Sequence, residues 1–382
     1  MKVLVISSWY PTSYNKVNGI FVKEQVKALM SVGISPIVFF PYDSSIEKGR
    51  IKKCIEEGIT VYRANTYYLS NSKLSQINSI VKSIRFMKKI INENNISLIH
   101  SHVCYPSGFV VAIYNKLYNT PYVITEHMSR IGEFVKKQYN KKLFNFAYSN
   151  ASKVITVSSS LKEDLNNFGF EFNSEIIHNV VNTDKFYLKE KDSIKNQVNI
   201  IFIGSMEKVE VKGLQYFIPA LSNFIHNNPQ YEITLNLLGD GEYREKYEKM
   251  CMELGIMDNC KFWGTVKNDD IPQFIAEGDF LVLPSKKETF GCVLIEAMAG
   301  GIPVLATSSG GPKDFINEKV GVLVEPNSIE ALEKGLETII TNYDKFDNNY
   351  IREYSKQNYS YKCIGNKLKG VYQNILGNDG EI

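Results

Sequence analysis

The sequence predicts an α/β protein built from two doubly wound, mostly parallel sheets. Three observations predict it. Residues 280–307 read as strand, loop, helix, strand. The run FLVLP is followed by a polar loop, then by Val293, Leu294, Ala297 and Met298 at helical spacing, a Gly300-Gly301 stop, and a second strand, PVLAT. That order is the repeating element of a parallel sheet, which binds ligands at its strand ends. The chain opens in the same way, with KVLVIS, a loop carrying Gly19, and a helix over residues 21–32 stopped by Gly33. It restarts with a strand at residues 199–204, after a charged stretch at 189–195 that reads as a linker. A chain of 382 residues has enough material for two cores.

In the 280–307 unit, Glu288 stands in the loop and Glu296 about a turn and a half into the helix. Both are placed to border one crevice. The amides of Phe290, Gly291 and Cys292 lie at the helix start, where the dipole favours an anion. Gly291 lets backbone approach a ligand closely. Carboxylates for sugar hydroxyls beside amides for a phosphate suit a nucleotide-sugar. Taken alone, such glutamates are equally a solvated loop residue and a surface helix residue.

The remaining elements follow in order. Residues 37–40 read as the second strand. Residues 74–92 read as a helix packed through Leu74, Ile77, Val81, Ile84, Met87 and Ile91, with Lys82, Arg85, Lys88 and Lys89 on the other side. Strands follow at 96–102 and 122–125, and alternation puts His100 and His102 on one face. With His127 and Cys104 nearby, these histidines invite a metal reading. No His-Glu-x-x-His pattern or ligand-rich cluster completes it, so no metal is expected. Residues 134–148 read as one helix rich in lysine, and 154–157 and 176–181 as strands around a helix at 161–168. The second half predicts strands at 199–204, 233–238, just before 262–266, and 321–324, and helices at 328–340 and 351–376.

Composition narrows the function. The chain is 44% hydrophobic and 22% charged, a globular balance. A net charge of +3 is too mild for a nucleic-acid partner. Six scattered cysteines without a C-x-x-C read as reduced, packed thiols. The sequence enters a strand at once, with no signal-like segment, and no apolar run approaches the ~18 residues of a membrane span. A cytoplasmic location is expected.

The block from Pro284 to Pro312 resembles the signature of the family 4 retaining glycosyltransferases. It carries Pro284-Ser285, Glu288, Phe290-Gly291, Glu296 followed by Ala297-Met298-Ala299, Gly301-Ile302-Pro303-Val304, and Gly310-Gly311. His100-Ser101-His102, Thr125-Glu126-His127 and Asn179 with Thr183-Asp184-Lys185-Phe186 are similar to further motifs of that family. The chain departs from it at three places. Phe186 comes one residue early in the last of these motifs. Asn18 precedes Gly19 where the family has a glycine pair. Ser205 follows Gly204 where it has a phosphate-binding arginine, leaving Lys212 as the matching cation and Lys208 as a candidate replacement.

The resemblance implies a GT-B fold with two Rossmann-like domains. The acceptor domain is expected at 1–186, the donor domain at 187–350, and a C-terminal helical segment returning to the first domain at 351–382. It implies retaining transfer from a nucleotide-sugar, UDP-linked, without metal or other cofactor. Glu288 and His127 would be catalytic. Gly19, Lys212, Gly239, Val266, Phe290, Gly291 and Glu296 would bind donor. The opening loop and Pro106-Ser107-Gly108 look similar to enzymes of capsule, exopolysaccharide or teichuronic acid assembly. That implies a glycan or lipid-linked acceptor, and peripheral contact of the basic helices with an anionic membrane. Two alternatives share the fold: a non-hydrolysing sugar-nucleotide epimerase, and a non-catalytic nucleotide-sugar sensor. The departures at Asn18 and Ser205 favour the sensor; the intact glutamates and His127 oppose it.

Overall fold

The structure, a computed structural model, describes residues 1–66, 72–129, 131–188 and 196–377. The expected linker at 189–195 lies outside the described residues. The chain opens with β1 (Lys2–Ser7), α1 (Ile20–Ser31), β2 (Ser35–Phe40), β3 (Ile51–Glu56), β4 (Ile59–Ala64), α2 (Lys73–Asn94), β5 (Leu98–His102) and α3 (Phe109–Tyr118). Then come β6 (Tyr122–Glu126), α4 (Ile131–Val135), α5 (Gln138–Ser149), β7 (Lys153–Thr156), α6 (Ser159–Asn167) and β8 (Ser174–Ile176). The second half runs β9 (Gln197–Ile203), α7 (Leu214–Asn227), β10 (Glu232–Leu238), α8 (Arg244–Glu253), β11 (Cys260–Gly264), α9 (Ile271–Glu277) and β12 (Phe280–Leu283). It ends with α10 (Cys292–Ala299), β13 (Val304–Thr307), β14 (Gly321–Val324), α11 (Ile329–Thr341), α12 (Asn348–Tyr359) and α13 (Tyr361–Leu376).

Two compact units result: Met1–Val180 with Tyr361–Ile382, and Val181–Ser360. These bounds differ from the expected divisions at 186 and 351, and hydrogen bonds explain why. Val181 N donates to Tyr359 O at 2.9 Å. The Arg352 guanidinium donates to the carbonyls of Phe186 and Ala299, each at 2.7 Å. Residues 181–186 and α12 are thus tied into the second unit.

The first unit holds an eight-stranded sheet, β3-β4-β2-β1-β5-β6-β7-β8, parallel except where β3 runs against β4. The second holds a six-stranded parallel sheet, β11-β10-β9-β12-β13-β14. Counted from β9, this is the strand order of a doubly wound dinucleotide-binding sheet.

Several expected elements change. β3 and β4 escape the sequence pattern because β3, IKKCIE, is a polar edge strand without clean alternation. The strand expected at 176–181 ends at Ile176. The helix expected at 134–148 divides into α4 and α5, and that at 351–376 breaks at Ser360. In α2 the packed face is Ser79, Ser83, Met87, Ile90 and Ile91, whereas Leu74, Ile77 and Val81 are exposed. The reason is hydroxyl packing: Ser79 and Ser83 donate to Thr66 Oγ1 at 3.0 and 3.3 Å. Small side chains let the helix approach there, so the apolar stripe near its N-terminus faces outward.

In the first unit, α13 lies against α1 over a core that includes Val3, Val5, Val22, Val26, Leu98, Val123 and Leu368. Tyr361 Oη donates to the Glu24 carboxylate, and Lys369 Nζ to Val32 O at 3.3 Å. The contact is close at Gly365, where an added Cβ would stand 2.4 Å from Ala28 O. Gly370, in the same helix, has open space. Replacing a helical glycine by alanine ordinarily stabilises by up to about 1 kcal/mol. Gly370→Ala should follow that rule, and Gly365→Ala should reverse it, costing about 2 kcal/mol by overpacking. Urea unfolding of the two variants measures the contrast; equal stabilisation would mean that α13 does not press on α1.

Candidate active site

Ligands of a doubly wound sheet bind where neighbouring strands send their connections in opposite directions. In the second unit that place is between β9 and β12. The loop after β9 carries Lys212 and Gly213, and the loop after β12 carries Ser285 and Glu288. The two loops meet through backbone. Lys286 N donates to Val211 O at 2.7 Å. Gly213 has φ 75°, and a Cβ there would lie 1.8 Å from Pro284 O. Only glycine fits.

This contact brings Lys212 to Glu288. Lys212 Nζ donates to Glu288 Oε2 at 2.7 Å, with the lysine side chain 28% exposed and the glutamate 14%. Ser285 Oγ donates to the same oxygen at 3.2 Å. The Glu288 backbone is pinned as well: its N–H donates to Ser309 O at 3.0 Å, and its carbonyl accepts from Gly311 N at 2.9 Å. Gly291, at φ 97°, caps α10, and its missing side chain leaves the room that Glu288 Cγ borders. Phe290 is buried against Phe315 and Tyr359, with ring centroids 5.0 and 6.0 Å away. A cation, a carboxylate and a helix N-terminus thus converge at the crossover.

The other second-unit candidates scatter around this centre. Gly239 sits against the loop after β9. Its N–H donates to Gly264 O at 2.8 Å, and a Cβ there would be 1.9 Å from Gly204 O. Val266, partly buried, follows the outermost strand, β11. Glu296 is half-buried on α10. Ser205 is exposed. Lys208 is exposed and lies 3.7 Å from an equally exposed Glu242, so Lys212 and not Lys208 is the cation brought to Glu288.

In the first unit, the connections diverge between β1 and β5. Ser8 Oγ after β1 donates to Ser107 Oγ after β5 at 3.0 Å, and accepts from Ser107 N at 3.2 Å. Gly19, at φ 76°, starts α1 so close to Trp9 that a Cβ would be 2.4 Å from its carbonyl carbon. Phe21 then lies between Trp9 (ring centroids 6.3 Å) and His127 (4.4 Å).

His127 continues a stack of imidazoles. His100 and His102 stack at 4.5 Å, as alternation on β5 predicts, and His102 and His127 at 5.3 Å. His102 Nδ1 and His127 Nε2 are 3.1 Å apart. His100 Nδ1 meets Tyr372 Oη at 2.6 Å, and its Nε2 meets Thr125 Oγ1 at 2.7 Å. Burial disfavours the charged rings. It lowers the pKa of His100 and His127 to about 3, and that of His102 well below its usual value. For His127, neighbouring His100 lowers it further while Asn179 opposes. All three rings are neutral near pH 7. Among the described residues no group of three or more His, Cys, Asp or Glu side chains could hold a metal.

One organising residue escaped the sequence reading. Glu126, fully buried, accepts from the backbone N–H groups of Cys104, His127 and Met128, each at 2.9 Å, and from Tyr148 Oη at 2.8 Å. Burial raises its pKa, against the pull of those donors. It fixes the backbone that carries His127. Its position between Thr125 and His127 was visible, but two of its partners, Cys104 and Tyr148, come from other segments.

Comparison with known proteins agrees with this architecture. The model "Glycosyltransferase Family 4" matches residues 19–185, and "Glycosyl transferases group 1" matches 184–358. The uncharacterized glycosyltransferase MJ1178 of Methanocaldococcus jannaschii is 27% identical over 380 residues, covering 98% of this chain and 99% of its own. TuaC of Bacillus subtilis, named as a glycosyltransferase of teichuronic acid biosynthesis, is 27% identical over 362 residues, 88% of each chain. Among solved structures, Anabaena Alr3699/HepE in complex with UDP superposes with a TM-score of 0.76 at 21% identity, covering 98% of this chain and 100% of that one. Two parallel-sheet units of this kind, matched over residues 19–358 by the two glycosyltransferase models, make this chain an enzyme, a GT-B glycosyltransferase of the hexosyltransferase type.

Proposed function

We propose that this enzyme moves a hexosyl group from a nucleotide-sugar, UDP-linked, to a glycan or lipid-linked acceptor, with retention at the anomeric carbon, in the assembly of a cell-surface polysaccharide. The observation that carries the reading is the Lys212–Glu288 pair at the start of α10, where the second sheet's connections diverge. The solved relative with bound UDP supports the choice of nucleotide, and the name of the Bacillus relative supports the polysaccharide role. The two curated relatives are named as glycosyltransferases, which favours neither an epimerase nor a sensor.

In this reading, negative charge grows on the diphosphate as the bond from the anomeric carbon to the phosphate oxygen breaks. Lys212 and the amides at Phe290 and Gly291 stabilise that charge. Donor phosphate takes the place of Glu288 as the anion beside Lys212, so the mostly buried cation stays paired when it leaves the carboxylate. Glu288 then accepts from the sugar hydroxyls and orients the ring, and Glu296 accepts from the ribose hydroxyls. Gly19 and Gly239 leave room for the donor, and Val266 contacts the base through its backbone. Retention follows if the acceptor attacks from the leaving-group face. The acceptor oxygen bonds to the anomeric carbon, and its proton passes to the departing phosphate oxygen. No enzymatic nucleophile is required, and the Lys212 cation serves where a metal otherwise would. His127, neutral, lies against the sugar.

We further propose that the enzyme works at the cytoplasmic face of a membrane, as a peripheral protein. No helix among the described residues is long and apolar enough to cross one. Exposed Leu74, Ile77 and Val81 continue into Arg85 and Lys88 along α2, and exposed Phe134 and Tyr139 neighbour Lys136, Lys137, Lys141 and Lys142. Apolar and basic side chains on one surface suit an anionic bilayer.

Three measurements test these readings. In a metal-free screen of UDP-, GDP-, TDP- and ADP-sugars, one donor should raise the melting temperature and yield free nucleoside diphosphate. With that donor, Glu288→Gln and Lys212→Ala should each lower kcat by about 10²-fold or more, and EDTA should not. Full transfer by Glu288→Gln would sink the site assignment, and failure to bind any donor would restore the sensor. Second, the protein should sediment with vesicles containing anionic lipid and not with neutral ones; binding indifferent to charge would reject the basic surface. Third, the buried histidines should make the fold acid-sensitive. His100 and His127 hold about 3 in the fold against 6.5 when unfolded, so the unfolded chain binds more protons between those values and stability rises with pH across that window. His100, wholly buried, should remove about 2 kcal/mol on going from pH 7 to pH 5, and His127, only partly buried, less. The urea midpoint should fall accordingly, and by less in His127→Asn; an unchanged midpoint in the parent protein would mean that the rings are hydrated.

A further inference from the structure

Glu288 has two carboxylate oxygens, and the second unit holds one of them twice. Lys212 Nζ and Ser285 Oγ both donate to Oε2, at 2.7 and 3.2 Å, which leaves Oε1 for a ligand. The two donors differ in kind. Lys212 carries its charge at the end of a flexible four-carbon stem, and in the proposed reaction it passes to the donor phosphate. Ser285 has a short side chain and is wholly buried.

The backbone that carries Ser285 is held on each side. Pro284 O presses on Gly213, where a Cβ would lie 1.8 Å away. Lys286 N donates to Val211 O at 2.7 Å. The Ser285 carbonyl accepts from Thr307 Oγ1, on the wholly buried last residue of β13. The end of that strand holds Glu288 too. Ser309 O accepts from the Glu288 N–H at 3.0 Å, and Ser309 Oγ stands 3.1 Å from Thr307 Oγ1. Hydroxyl and carboxylate therefore share one support, the end of β13 and the loop after it. A hydroxyl on so constrained a backbone is in place before any ligand arrives, and a carboxylate that must meet sugar hydroxyls needs such support, because its own side chain turns about several bonds.

We propose that Ser285 is a positioning residue for sugar transfer. Once Lys212 has exchanged Glu288 for phosphate, the Ser285 hydroxyl is the donor that keeps Oε2 in place, and Oε1 is thereby presented to the sugar hydroxyls. This role rests on the reading that Glu288 takes the donor sugar. Ser285 makes and breaks no covalent bond; it acts through its hydrogen bond to Glu288. A hydrogen bond to a charged acceptor contributes more than a neutral one, so its loss is large enough to read in a rate. The loss falls on kcat and not on nucleotide affinity. UDP carries no sugar, and the groups assigned to its phosphates and ribose, namely Lys212, the amides at Phe290 and Gly291, and Glu296, do not include Ser285.

The test is a double-mutant cycle on the full-length enzyme. Release of UDP is followed with UDP-glucose, UDP-galactose and UDP-N-acetylglucosamine, and the donor turned over fastest is used. Ser285→Ala should lower kcat about 10-fold and change UDP affinity, measured by calorimetry, by less than about twofold. In Glu288→Ala, where the carboxylate is gone, adding Ser285→Ala should lower kcat no further. A serine with a merely structural role would cost the same factor in both backgrounds, and that result would overturn the proposal. So would a Ser285→Ala enzyme of full activity, or one whose UDP affinity falls as far as its kcat. A Glu288→Ala enzyme that transfers at the full rate would instead remove Glu288 from the reaction, and the role of Ser285 with it.

Discussion

The second unit's site depends on one backbone contact. The loop after β9 and the loop after β12 touch at Gly213 and Pro284, closer than any side chain would allow. Parallel pairing of β9 and β12 brings the loops to the same edge. The absence of a Cβ at residue 213 lets them close, and Lys286 N to Val211 O locks them. Lys212 and Glu288, 76 positions apart, become an ion pair as a consequence. Neither residue is special in isolation. A surface lysine and a loop glutamate acquire chemistry because the sheet turns its connections in opposite directions between them.

The first unit reaches its order by a different means. There the constraint is desolvation. Two imidazoles wholly out of water and a third partly so stay neutral, and each neutral ring has one donor and one acceptor to place. His100 spends both on Tyr372 and Thr125. His102 and His127 face each other, and Glu126 holds the backbone beneath through three amide donors. A C-terminal helix thereby touches the same stack that starts at the opening loop. The packing of α13 on α1, close at Gly365, is part of what keeps Tyr372 in reach of His100.

Much of the fold was legible because hydrophobic runs and glycine stops report it directly. FLVLP and PVLAT are buried on both faces, as parallel strands must be, and they read as uninterrupted apolar runs. Elements whose stability comes from elsewhere were not legible. β3 is polar and half-exposed, held by pairing with β4. α7 carries Pro219 within it, a residue that argues against a helix, although Leu214, Phe217, Ile218, Leu221 and Phe224 keep helical spacing. In α2 the expected stripe and the packed face differ because two serines and a distant threonine decide which side comes close.

The sequence by itself determined the alternation of strands and helices, the glycines that permit left-handed turns at 19, 213 and 291, and the identity of the candidate carboxylates, lysine and histidines. These are local properties: periodicity, φ preference and residue chemistry act within a few positions. Only the tertiary structure decided that Lys212 and not Lys208 meets Glu288, that Glu126 anchors the His127 loop, and that the chain divides at 180 and 360. Each of those outcomes is a contact between segments far apart in the chain. Such contacts are selected by hydrogen-bond geometry and by the cost of burying polar groups, and no local pattern encodes them.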